Sequence, residues 1–150
     1  MSSVWFRAGV VAVVRHPDLQ RVMAFERADA RGSWQLPQGG LQEGELPAEA
    51  AWRELTEETG LGRAHVEMLA EYPDWVVYEL PDAIRSAKAG RRDRLGQAQK
   101  WFLFQAADPA LEPTPDGREF VAWQWVEPEW LISHVPEWRG DAYQRVLGSL

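Results

Sequence analysis

Gly39-Gly-Leu-Gln-Glu-Gly-Glu45-Leu-Pro-Ala-Glu-Ala-Ala-Trp-Arg53-Glu54-Leu55-Thr-Glu57-Glu58-Thr-Gly60-Leu61 is the stretch on which the reading turns. Pro47 at the start, a run rich in Ala, Glu and Leu, and Gly60 at the end predict a helix over 47–59. Successive helical residues turn by about 100°, so Glu54, Glu57 and Glu58, at i, i+3 and i+4, project from one face. Like charges at these spacings repel, and a hard dication such as Mg²⁺, which prefers oxygen ligands, would offset the repulsion. Arg53 adds a compensating charge, and Glu45 lies near the helix start, where the macrodipole favours an acid. Gly39, Gly40 and Gly44 permit a tight loop that brings backbone close to a metal or phosphate.

Working outward, Gly9–Val14 is a continuous apolar run suited to a buried strand, followed by a turn at His16–Gln20 and a second strand at Val22–Phe25, together a hairpin. Beyond the helix, strands are predicted at Val66–Tyr72, Trp75–Leu80, Lys100–Ala106 and Phe120–Val126, with helices at Pro128–Ser133 and Asp141–Leu150. Mixed strands with interspersed helices indicate the α/β class, and no repeat or linker divides residues 1–150, which read as one domain. The segment Arg85–Gln99 carries Arg85, Lys88, Arg91, Arg92 and Arg94, with Lys100 just beyond; it reads either as a solvated loop or as a mobile basic arm that meets phosphates.

Composition narrows the chemistry. With 45% apolar residues the chain can build a core, and with no cysteine it has neither disulfide, thiolate metal site nor thiol nucleophile. A net charge of −7 argues against sequence-independent coating of nucleic acid, so DNA is not an expected partner. The N-terminus has no leader pattern and no apolar run is long enough to span a bilayer, so a cytoplasmic protein without membrane contact is expected. Most of the nine tryptophans are expected in the core, although an indole also offers a surface for a nucleobase. His16, His65 and His134 have no ligand spacing, and there is neither a nucleophile elbow nor a phosphate-binding Walker loop.

The quoted stretch resembles the signature box of the Nudix hydrolases: Gly, five residues, Glu, seven residues, then Arg-Glu-apolar-any-Glu-Glu-any-Gly-apolar. Gly39, Glu45, Arg53, Glu54, Leu55, Glu57, Glu58, Gly60 and Leu61 meet every fixed position. The flanking Ser33-Trp-Gln-Leu-Pro-Gln-Gly-Gly, Gly96-Gln-Ala-Gln-Lys-Trp-Phe-Leu and Glu119-Phe-Val-Ala-Trp-Gln-Trp-Val are similar to bacterial RNA pyrophosphohydrolases and dinucleoside polyphosphate hydrolases.

That resemblance implies an α/β/α sandwich with a mixed sheet and a pyrophosphohydrolase dependent on Mg²⁺, with Mn²⁺ as a substitute. Glu54, Glu57, Glu58, Glu119 and the backbone of Gly39 would form the metal site. Catalytic roles fall on Arg53, Glu57, Glu58 and Glu119, with Glu58 or Glu119 as the base. Arg27, Ser33, Tyr78, Lys100, Trp138 and Arg139 would approach the nucleotide or its phosphates, and Arg7 is a candidate for stacking on a base. The expected substrate is a 5′-triphosphate or diphosphate RNA end, converted to a 5′-monophosphate. A dinucleoside polyphosphate, such as diadenosine tetraphosphate, is the alternative. An intact glutamate set speaks against a module that only binds nucleotides.

Overall fold

The computed structural model describes residues 5–87 and 94–150. At its centre is β1 (Trp5–Arg15), which pairs in parallel with β7 (Arg94–Ala106) and antiparallel with β2 (Val22–Arg27) and β4 (Gln38–Gly40). The sheet extends through β3 (Trp34–Gln35) and β8 (Phe120–Val126), which both pair with β2, and through β5 (Val66–Glu71) and β6 (Val76–Glu79), which both pair with β7.

The continuous apolar run of β1 follows from cover on both faces. Val11 and Val13 point into a core with Trp101, Tyr143 and Leu131, under α3 (Pro128–Ile132) and α4 (Gly140–Leu147). Val10, Ala12 and Val14 point the other way, into a core with Phe25, Phe102 and Leu55 under α1 (Pro47–Thr59). The result is the expected α/β/α sandwich on a mixed sheet.

The predicted helix 47–59 forms as α1, with the Leu46 N–H donating to Glu49 Oε1 at 3.0 Å and Gly60 ending it at φ 73°, in the left-handed region. The hairpin and the strands near 66–71, 76–79 and 120–126 also form. Two features differ from expectation. The basic segment is not a loop throughout: 82–87 is a short helix, α2 (Asp82–Ala87), and 94–99 is the first half of β7, paired to β1 and β6. Lys88, Arg91 and Arg92 lie outside the described residues. The tryptophans go mostly to the core as expected: Trp101 is sealed in it, Trp34, Trp52, Trp123, Trp125, Trp130 and Trp138 pack partly buried against it, and Trp5 and Trp75 are exposed. β3 and β4 have two and three residues, too few for alternation to show, and they exist through their pairing with β2 and β1. Among the described residues no helix is long and apolar enough to cross a membrane.

Candidate active site

The helix α1 sets the first half of the site. Ala50, Ala51 and Leu55 bury its inner stripe, which carries Glu58 into the protein and leaves Glu57 at the rim. Glu58 is only 6% exposed, whereas the Glu57 side chain is 59% exposed. The Glu58 carboxyl contacts that of Glu54. Burial, then the charges of Glu54 and Glu119, push its pKa well above the usual carboxylate range, and a hydrogen bond from the Gln38 N–H, 3.2 Å from Oε2, opposes them.

Arg53 braces this cluster. Its Nε and Nη2 donate to the two oxygens of Glu45 at 2.7 and 2.9 Å, and Nη2 also donates to the Gly40 carbonyl at 2.9 Å. Nη1 reaches Glu54 at 2.8 Å and Glu57 at 3.4 Å. The Arg53 bonds hold the Glu45 pKa below its ordinary value, and those same bonds raise the pKa of Arg53. The Glu54 carboxyl packs against the bare backbone of Gly39, where a methyl group would fall on it. This close approach, rather than a turn, is what position 39 requires.

Glu54, Glu57, Glu58 and Glu119 line one cleft of ≈ 440 Å³, together with Asp116 and Arg118, which the sequence reading missed. Asp116 Oδ1 accepts the N–H groups of Arg118, Glu119 and Phe120 at 2.9, 2.9 and 3.1 Å, fixing the entrance to β8 and the approach of Glu119. The Asp-Gly pair at 116–117 could have signalled the turn, but not its place beside α1.

The three helix carboxylates, Glu54, Glu57 and Glu58, share this cleft with Glu119, but their oxygens are not preassembled around one point. Among the described residues no three acidic or histidine side chains already stand as a metal cage, because Arg53 takes up Glu54 and Glu57 while Glu58 is drawn inward. The donor set still fits a hard dication: oxygen ligands only, an excess of acid, and a buried carboxyl whose anionic form lacks sufficient compensation.

The second half of the site comes from segments scattered along the chain. Arg27 and Asp29 at the end of β2, Leu80 and Ile84 around the start of α2, Arg94 and Gln97 on β7, and Trp138 and Arg139 line a cavity of ≈ 160 Å³. Trp138 and Arg139 belong to a 3₁₀ turn (Glu137–Arg139) between α3 and α4, flanked by Pro136 and Gly140. Arg139 is anchored by Gln35, and the nearby Tyr143 hydroxyl accepts the Leu36 N–H at 2.9 Å. Trp138 Nε1 and Arg139 Nε are sealed from solvent with no hydrogen-bond partner. Orphaned donors of this kind cost about 1–3 kcal/mol each, a cost that an acceptor on a ligand can relieve.

A row of polar side chains joins the two halves. Gln97 Nε2 donates to the Tyr78 hydroxyl at 3.0 Å, and Gln99 Nε2 donates to both Gln97 Oε1 and Gln38 Oε1 at 3.3 Å. The Gln38 N–H in turn meets Glu58. Gln99 spans from β7 to β4 across Gly9, the β1 residue level with it. These glutamines carried no spacing signal and were missed.

Other sequence-predicted residues fall elsewhere. Tyr78 is buried, is not among the described residues lining the cavity, and meets its wall through Gln97. Ser33 gives its carbonyl to the Arg27 N–H at 2.9 Å and is not among the described residues lining either recess. Lys100 points to the opposite side of β7 from Gln97 and Gln99, paired with Glu71 at 3.0 Å and donating to the Pro73 carbonyl at 3.0 Å. Arg7 lies with its guanidinium over Gly40, beside the box.

The sequence matches the NUDIX domain over residues 5–146. The chain belongs to the Nudix family. It is 39% identical over 131 residues to a protein of Cereibacter sphaeroides named RNA pyrophosphohydrolase, covering 85% of this chain and 80% of that one. It is also 38% identical over 137 residues to Nudix hydrolase 26, chloroplastic, of Arabidopsis thaliana, covering 87% of this chain and 62% of that one. Among solved structures, the E. coli dihydroneopterin triphosphate pyrophosphohydrolase has a TM-score of 0.77 at 21% identity, covering 99% of this chain and all of that one. A C. elegans Ap4A hydrolase complex has a TM-score of 0.69 at 17% identity, covering 93% and 94%. These two likenesses speak for the Nudix fold. Nudix hydrolases generally need divalent cations, and this Nudix hydrolase has a carboxylate cleft suited to them.

Proposed function

We propose that this Nudix hydrolase is a Mg²⁺-dependent RNA 5′-pyrophosphohydrolase, which removes pyrophosphate or phosphates from a triphosphorylated or diphosphorylated end and leaves a 5′-monophosphate. The observation that carries the reading is the pairing of an acidic cleft with a separate small cavity rimmed by cations and an indole, joined by hydrogen-bonded glutamines. At ≈ 160 Å³ the cavity is narrower than pockets for drug-sized ligands and suits a single base. The name shared by the Cereibacter protein and a Francisella tularensis relative, 37% identical over 145 residues, supports the same substrate class.

Glu54, Glu57, Glu58 and Glu119 would hold Mg²⁺, or Mn²⁺ in its place, with the Gly39 backbone alongside. When bound, the ion neutralises polyphosphate charge and makes water a better nucleophile. Arg53 keeps Glu54 and Glu57 oriented and limits their mutual repulsion. Glu58 or Glu119 accepts the proton of the attacking water. Trp138 stacks on a base near the 5′ end, while Arg27 and Arg139 supply positive charge beside it.

The test compares kcat/KM for 5′-triphosphorylated RNA, diadenosine tetraphosphate and nucleoside triphosphates in Mg²⁺. RNA should lead. If diadenosine tetraphosphate is preferred, the RNA reading fails and the dinucleoside alternative replaces it.

A further inference from the structure

The base cavity contains an acid that neither the metal site nor the stacking role uses. Asp29 lines it, its side chain 60% exposed, with Oδ2 accepting from Arg27 Nη2 at 3.0 Å. The backbone beneath is fixed: the Arg27 N–H bonds the Ser33 carbonyl at 2.9 Å and the Ala28 N–H bonds the Glu119 carbonyl at 2.8 Å. An ionised carboxylate has about four acceptor positions and no donor, and the bond to Arg27 uses one of them. Resting on the reading of this cavity as a nucleobase site, we propose that Asp29 makes it selective for guanine.

The argument is one of matching edges. A carboxylate binds best where two donors stand side by side. Guanine alone among the four RNA bases offers that, through N1–H and the N2 amino group. Adenine and cytosine put a ring-nitrogen acceptor beside their amino group, and uracil flanks its N3–H with two carbonyls, so each brings a lone pair toward Asp29. The other wall residues complement the rest of the ring: Arg27 and Gln97 bring N–H groups to the same cavity, and Trp138 brings an apolar ring face. The ion pair accounts for the 3.0 Å contact and for an acid among cations, but it leaves Asp29 more than half exposed at the cavity with acceptor positions that Arg27 does not use.

The experiment uses 5′-triphosphorylated RNAs with guanosine, inosine or adenosine at the first or second nucleotide, together with calorimetric titration of guanosine and inosine monophosphates. Inosine differs from guanosine only in lacking the N2 amino group. At the position that occupies the cavity, guanosine should exceed inosine in kcat/KM by about tenfold, the lower part of the range for a lost bidentate contact. Asp29→Asn retains a carbonyl for Arg27 but presents an amino group, and should bring that ratio close to one. Equal use of guanosine and inosine by the unaltered protein would overturn the proposal. So would a loss in Asp29→Asn that is the same for all three bases, since Asp29 would then serve only to hold Arg27. If RNA is not hydrolysed but guanosine monophosphate binds more tightly than inosine monophosphate, and Asp29→Asn abolishes the difference, the guanine site stands and the RNA function falls.

Discussion

The acidic cleft and the base cavity are built in opposite ways. Most of the cleft comes from one helix and the loop before it: Arg53, Glu54, Glu57 and Glu58 lie within six consecutive residues, and Gly39 and Glu45 precede them on the same stretch. The cavity draws on the end of β2, the region of α2, the first half of β7 and the 3₁₀ turn. A site made by local geometry keeps its arrangement as long as its helix forms, whereas a site made by distant segments depends on how the sheet and its helices pack. The first should therefore respond to mutation in turnover, and the second in substrate choice.

The largest effect is expected at the cleft. Glu57→Gln should lower kcat/KM by about 10²–10⁴, comparable with the loss of a general acid–base or electrostatic contribution. Among the described residues Glu57 is held by Arg53 at 3.4 Å, and its side chain is exposed, so melting in chelator should change little. Near-full turnover in Mg²⁺ would remove Glu57 from the metal set, and a large drop in melting temperature would make it structural.

The cavity should give a smaller, substrate-dependent effect. Trp138→Ala should reduce kcat/KM for RNA by about ten- to a hundredfold, as expected for a stacking energy of about 1–3 kcal/mol. A short nucleotide that does not reach the cavity should lose much less. Equal losses on both substrates with a lowered melting temperature would show that the indole is packing, and the contrast between the two regions would fail.

A thermal effect distinguishes Glu58 from the rest of the cleft. Its folded pKa lies above its unfolded one, so at neutral pH the unfolded chain has released a proton that the metal-free folded chain retains. Its contribution to stability is therefore full below the ordinary carboxylate pKa and is lost as pH rises through the raised value. In chelator the melting temperature should fall from about pH 6 to about pH 9, and Glu58→Gln should flatten that fall. A melting temperature that rises over the same interval would contradict the buried, charge-crowded setting.

The smallest effect concerns Lys100, which belongs to neither region. With Glu71 and the Pro73 carbonyl as partners, Lys100→Gln should alter stability by about 0–1 kcal/mol and leave KM and its salt dependence unchanged. A raised KM with a flattened salt profile would return it to the substrate path.

The sequence alone determined the helix, its caps, the carboxylate spacing and the apolar strands, because helix periodicity, proline, glycine and alternation act over a few residues. The resemblance of the segments flanking that stretch brought Glu119, Arg27, Trp138 and Arg139 into view, and the structure puts all four at the two recesses. Tertiary structure decided what local spacing could not. It drew Glu58 into the core and left Glu57 outside, because α1 buries a stripe narrower than the sector the three glutamates span. It turned Lys100 away, because alternate residues of β7 face opposite sides of the sheet. It also brought Asp29, Gln97, Gln99, Asp116 and Arg118 to the site through pairings across the sheet and loop contacts with α1, which are contacts between residues far apart in the chain and leave no mark on sequence spacing.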